Sequence, residues 1–158
     1  MIKIRKARLV DATNIANLIK KNLLKAKINK YNLEQKKGII KKNTAKIVRE
    51  NIRKFDVFCA FENGKLIGTI YFGEVYSGEN NIGGLYIDPI MLKKGLGKKL
   101  LEYTENYAKK KGIKKIDLYS LKHSKEFYLR QKYKINKIYI WKVGNTKTKT
   151  YGMEKKLK

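Results

Sequence analysis

Apolar residues recur along this chain with two periods, and the switches between those periods mark its elements. Residues 2–9 alternate, as a half-buried strand does. Beyond Asp11, which reads as a helix N-cap, Ile15, Leu18, Ile19 and Leu23 fall at helical spacing. A second helical stretch, 32–53, carries Ile39, Ile40, Ile47, Val48 and Ile52, with a break predicted at Gly38 or at Asn43-Thr44. Residues 56–62 and 65–74 read as a hairpin around Glu62-Asn63-Gly64, because Asn-Gly supplies the left-handed turn. The strand predicted over 82–88 contains Gly83-Gly84, a pair that marks a bulge or a close backbone approach. A long helix follows over 95–111, with Leu96, Leu100, Leu101, Tyr107 and Ala108 as its apolar stripe and Gly112 as its stop. Then come a strand over 113–119, a short helix over 123–132, and a hairpin of 134–143 with 149–157 across Gly144-Asn145. This order predicts an α/β fold with a mixed sheet, in a single domain spanning 1–158.

One junction carries chemistry. The strand ending Leu85-Tyr86-Ile87 passes through Asp88-Pro89 into the basic, glycine-punctuated loop Lys93-Lys94-Gly95-Leu96-Gly97-Lys98, which opens the long helix. A helix start aims its unpaired N–H groups and the positive end of its dipole at one spot. That spot suits a phosphate or a diphosphate.

Composition narrows the choice. A chain of 158 residues with 42% hydrophobic content is large enough for one core. One cysteine, Cys59, and one histidine, His123, leave no disulfide framework, no expected metal site and few parts for histidine-based catalysis. Cys59 sits among Val57-Phe58 and Ala60-Phe61, where a buried, inert thiol is expected. No apolar run approaches a membrane span and the N-terminal region is charged, so a cytoplasmic protein is expected. A formal net charge of +26 attracts polyanions. The lysines are spread along the whole chain, which points to non-specific nucleic-acid contacts and to capture of an anionic cofactor.

At these residues the sequence resembles the GCN5-related N-acetyltransferase (GNAT) superfamily, over nearly the whole chain. The resemblance rests on Leu92-Lys93-Lys94-Gly95-Leu96-Gly97, where the family has Gln or Arg, two residues, Gly, one residue, and Gly or Ala. It also rests on Phe127-Tyr128-Leu129-Arg130-Gln131-Lys132-Tyr133, where the family has Phe-Tyr, three residues and Gly-Phe. It implies a mixed, mostly antiparallel sheet with flanking helices, whose strands 82–88 and 113–119 run parallel and splay apart at the cofactor site. Acetyl-CoA is the implied donor. Leu85, Tyr86 and Ile87 are expected to hold the pantetheine arm through their backbone, and the amides of Lys93, Lys94, Gly95, Leu96, Gly97 and Lys98 to cradle the diphosphate. Three departures stand out: Leu92 for Gln or Arg, Leu121 near a customary asparagine, and Lys132 for the glycine.

The resemblance also assigns roles. Tyr128 becomes the proton donor to the departing thiolate, unless it merely packs beneath its helix, and the Ile87 N–H becomes the oxyanion donor. Positions that hold a glutamate base in many relatives are Asn81 and Tyr119 here, which leaves Glu74 and Glu79 as candidate bases, acting through water, or as solvated charges. Tyr31-Asn32-Leu33-Glu34-Gln35 and Tyr139-Ile140-Trp141 form the expected acceptor rim, or else a helix start and core packing. The expected activity is direct acetyl transfer to a primary amine of a small molecule or peptide, by a monomer or homodimer. The alternatives are a catalytically silent CoA-binding module and a basic nucleic-acid-binding protein.

Overall fold

The computed structural model describes residues 1–26, 31–76, 78–143 and 145–158. Its frame is a seven-stranded sheet in the order β1-β2-β3-β4-β5-β7-β6. The strands are β1 (Ile2–Lys6), β2 (Asp56–Glu62), β3 (Lys65–Gly73), β4 (Asn81–Ile87), β5 (Lys115–Leu121), β6 (Lys134–Val143) and β7 (Thr146–Lys156). Every neighbouring pair is antiparallel except β4 and β5, which run parallel. Five helices flank the sheet: α1 (Ala12–Lys25), α2 (Leu33–Lys41), α3 (Ala45–Lys54), α4 (Leu96–Lys110) and α5 (Lys122–Arg130).

Alternation along the central strands divides the core between the two sheet faces. Phe58, Ile70, Phe72, Ile82, Leu118 and Met153 pack against Leu96, Leu100 and Leu101 of α4. Val57, Cys59 and Tyr71 meet Ile15, Leu18 and Ile19 of α1 and Val48 of α3 on the other face. The apolar stripes of α1 and α4 are therefore what clamps the sheet from both sides, at roughly 1.5–3 kcal/mol for each large side chain fully buried.

Several boundaries differ from the sequence pattern for local reasons. Asp11 does not cap α1. It closes a 3-10 turn, and its carboxylate accepts from Arg5 Nη1 and Nη2 at 2.8 and 3.0 Å and from the Arg8 N–H at 2.7 Å. The break in the second helical stretch falls beside Asn43-Thr44, with Gly38 inside α2 and the Thr44 hydroxyl capping α3 by accepting from the Ile47 N–H. A reciprocal cap opens α2, in which the Gln35 N–H donates to Asn32 Oδ1 at 2.8 Å and the Asn32 N–H to Gln35 Oε1 at 2.9 Å. Strand β5 and helix α5 lie one or two residues from the predicted limits. Of the predicted turn Gly144-Asn145, Gly144 lies outside the described residues.

Candidate active site

The parallel pair is joined over two register positions only, Asn81–Asp117 and Ile82–Leu118, although β4 runs on to Ile87 and β5 to Leu121. Beyond Ile82 the two strands diverge, so backbone groups on their facing edges have no strand partner. A bulge in β4 starts this divergence: its register against β3 slips between the Tyr71–Gly83 and Thr69–Tyr86 pairs. Gly84 takes φ +57 there, and a Cβ at Gly84 would lie 2.9 Å from the Tyr71 ring, so both conformation and space demand glycine. The predicted strand residues Leu85, Tyr86 and Ile87 are the ones that line the gap.

The end of β4 is anchored to α1. Asn22 Nδ2 donates to the Ile87 carbonyl at 2.7 Å, and Lys21 Nζ lies 2.7 and 3.0 Å from the two Asp88 carboxylate oxygens. Asp88 in turn accepts from the Ile90 N–H at 3.1 Å, fixing the 3-10 turn Pro89–Met91 that leads into the loop. Burial would push the Asp88 carboxyl up, but the Lys21 hydrogen bond, the Ile90 N–H and the charges of Lys21 and Lys65 hold it below its usual value.

Past this turn the chain has positive φ at Lys93 (61°) and at Gly95 (79°), the N-cap of α4. Among the described residues, none of the amides from Lys93 to Lys98 donates to a backbone carbonyl; the first bond of the helix is Lys99 N–H to Gly95 O at 3.1 Å. The predicted set Lys93, Lys94, Gly95, Leu96, Gly97 and Lys98 thus forms a bend of unclaimed donors at a helix N-terminus, with lysines on its rim. Such donors fit the diphosphate of coenzyme A. Leu92 packs partly buried against the core, which accounts for an apolar side chain there. Gly97 leaves ordinary space, 3.5 Å from a Cβ position to the Phe127 ring. A cavity of about 1000 Å³ opens beside the loop, with Leu92, Lys93, Leu121, Lys122, Tyr31 and Gln35 in its wall.

Tyr128 lies on α5, on the α4 side of the sheet, and is only 8% exposed. Burial raises its phenol above the ordinary value, and Tyr76 and Tyr31 add to this electrostatically. Tyr86 is raised in the same way, by burial first and then by Tyr31, Tyr76, Tyr71 and Tyr128, and burial pushes Tyr31 up to about 12. These phenols therefore hold their protons and serve as donors. His123, on α5, meets Tyr31 edge-to-face at 4.9 Å between centroids, and both line the cavity beside the loop.

Glu74 and Glu79 are exposed in the segment between β3 and β4. Asn81 is buried and its Oδ1 accepts from the Tyr76 N–H at 3.4 Å, so this position orients Tyr76. Tyr119 stacks between Tyr76 at 5.4 Å and Tyr139 at 5.6 Å. Glu34 is exposed in the first turn of α2, whereas its neighbour Gln35 is buried at the cavity wall. Cys59 is fully buried, and burial pushes its thiol up to about 12. Sequence reasoning missed Asn22 and Tyr76; Gly83-Gly84 was the one local sign of aromatic rings laid on the backbone. Among the described residues no group of three or more His, Cys, Asp and Glu side chains gathers to hold a metal.

Known proteins share this architecture. A GCN5-related N-acetyltransferase from Rhodopseudomonas palustris superposes with a TM-score of 0.85 at 17% identity, covering 98% of this chain and 95% of its own. The PaiA N-acetyltransferase from Thermoplasma acidophilum, solved with coenzyme A, gives 0.81 at 24% identity over 99% of both chains. The yncA protein of Salmonella typhimurium, solved with acetyl-CoA, gives 0.69 at 18% identity over 99% of this chain and 94% of its own. Comparison with curated protein sequences gives no match. The model of the acetyltransferase (GNAT) family matches residues 30–133, which contain the bulged β4, the cofactor loop and Tyr128. The chain belongs to the acetyltransferase (GNAT) family and is an acyltransferase of that family.

Proposed function

We propose that this protein transfers the acetyl group of acetyl-CoA directly to a primary amine of a small molecule or peptide, in the cytoplasm. The observation that carries the reading is the bend of unclaimed amides from Lys93 to Lys98 at the start of α4, beside the opening of the β4–β5 pair. The bound cofactor supplies a thioester whose carbonyl an amine can attack. Unpaired amides on the facing edge of β4, that of Ile87 first, stabilise negative charge on the carbonyl oxygen. Amides from Lys93 to Lys98 bind the diphosphate, with Gly95 allowing close approach. Tyr128 donates a proton to the sulfur as the carbon–sulfur bond breaks and regains one from the attacking nitrogen, which gives up its second proton as the new bond becomes an amide. The incoming ammonium releases its proton to water on the open side, with Glu74 and Glu79 as the carboxylates nearest along the chain to Tyr76.

The test is thiol release from acetyl-CoA in the presence of a broad panel of amines and peptides. Amine-dependent release supports transfer; none with any acceptor, from folded protein that binds acetyl-CoA, leaves a CoA-binding module. The second reading is favoured by Leu92 and by Asn81 and Tyr119, which stand where many relatives place a glutamate base. Nucleic-acid binding rests on the charge of +26 alone, and affinity that vanishes near physiological salt marks it as non-specific.

A further inference from the structure

Gly83 and Tyr119 come one position beyond the last β4–β5 pair, Ile82–Leu118, and Tyr119 pairs with Gly152 of β7. Gly83, Tyr119 and Gly152 therefore form one row across the sheet, on the face that α1 covers further along. An aromatic ring lies against each glycine. A Cβ at Gly83 would lie 2.8 Å from Val75 Cγ1 and 3.0 Å from both Cε2 and the hydroxyl of Tyr76, and a Cβ at Gly152 would lie 2.8 Å from Asn136 Oδ1 and 3.0 Å from Cε2 of Tyr139. With Tyr119 between them, the rings make a continuous edge-to-face series, 5.4 Å from Tyr76 to Tyr119 and 5.6 Å from Tyr119 to Tyr139. The outer two are open to solvent, Tyr76 at 54% and Tyr139 at 38%. Tyr76 lies against Gly83, the first β4 residue beyond the last β4–β5 pair, so the row begins where the gap opens.

Resting on the acetyltransferase reading above, we propose that this tyrosine row is the acceptor subsite, and that the acceptor is a primary amine on a short linker to a flat aromatic body. The charges around the row disfavour a polyamine. Lys137 Nζ already lies over the Tyr139 ring at 5.1 Å, and Lys25, Lys93 and Lys122 border the adjoining cavity. The two carboxylates on the same face, Asp117 and Glu154, are taken by Lys115 at 3.6 and 3.4 Å, and Glu154 also by Asn136 Nδ2 at 3.1 Å. Asp117 and Glu154 are therefore neutralised, and among the described residues Glu74 and Glu79 are the exposed acids next to Tyr76, placed for the one amine, whereas offset and edge-to-face contacts with tyrosine rings suit an arene.

Phenethylamine, hexylamine and spermidine, each titrated by calorimetry into the protein saturated with coenzyme A, test the inference without requiring turnover. Phenethylamine is expected to bind about tenfold more tightly than hexylamine. Tyr139→Leu at the exposed edge and Tyr119→Leu at the centre are each expected to weaken it about fivefold, with the acetyl-CoA Kd unchanged. Undetectable phenethylamine binding, equal affinity for hexylamine, a preference for spermidine, or no effect of either substitution overturns the proposal. Thiol release in the same mixtures tests the parent reading separately. Tight phenethylamine binding without release refutes transfer and keeps the subsite, while release only with other amines refutes the subsite and keeps transfer.

Discussion

Lys21 reaches from α1 to the end of β4 and grips the carboxylate of Asp88, a side chain 2% exposed, with contacts of 2.7 and 3.0 Å. The pair joins one helix to the turn that leads into the Lys93–Lys98 loop. Removing this cation leaves a buried carboxylate with the Ile90 N–H and the more distant Lys65 Nζ, at 3.9 Å, as partners. Lys21→Met is expected to cost about 2 kcal/mol of folding stability, measured by urea unfolding at neutral pH. The sign of the pH dependence follows from the lowered Asp88 carboxyl. Its stabilisation is present above the unfolded carboxyl value of about 3.9 and is lost as pH falls through the folded one. The Lys21→Met penalty therefore shrinks on acidification below about pH 4.

Gly95 separates fold from cofactor grip. It caps α4 at φ +79 with nothing within 4 Å of a Cβ position, so the obstacle to a side chain is conformation and not space. Gly95→Ala is expected to cost about 1 kcal/mol in stability. By turning the amides of Lys94 and Gly95, it is expected to weaken acetyl-CoA binding by tenfold or more, read by calorimetry.

Tyr128→Phe removes the proposed acid while keeping the ring that packs beside Phe127 and Tyr133. Turnover is expected to fall by about 10²-fold or more, the contribution typical of a positioned proton donor, with a smaller change in the acetyl-CoA Kd. Because burial raises the phenol above its ordinary value, the wild-type rate is expected to show no loss from Tyr128 ionisation below about pH 10.

Lys132 occupies a position built for glycine. It has φ 68°, and the two bonds around it, Tyr133 N–H to Tyr128 O at 3.1 Å and Lys132 N–H to Leu129 O at 3.0 Å, make a Schellman stop for α5. Lys132→Gly relieves the left-handed strain at a cost in unfolded-chain entropy. The expected net gain is about 0.5–1 kcal/mol in chemical unfolding, with acetyl-CoA affinity unaltered.

Much of this was legible in residue order because it is local. Pro89, Gly95 and Gly97 announce a strand, a bend and a helix start within a dozen positions, and the α1 and α4 stripes name the residues that reach the core. Asp11 misled because Arg5, one strand away, outcompetes the first helical amides for its carboxylate. Asn22 on the Ile87 carbonyl spans 65 positions of chain, and the Tyr76 ring over Gly83 depends on a bulge no periodicity reveals. The β4–β5 gap itself depends on a break in strand pairing, a property of two segments thirty-odd residues apart. Contacts of that kind are decided by tertiary packing, not by the residues flanking them.

Backbone amide resonances recorded while acetyl-CoA is added test the central claim most directly. The account predicts that the largest shifts fall on Lys93 to Lys98, with a second group on Leu85 to Ile87. Saturable binding that leaves both sets unmoved and perturbs another surface would contradict it.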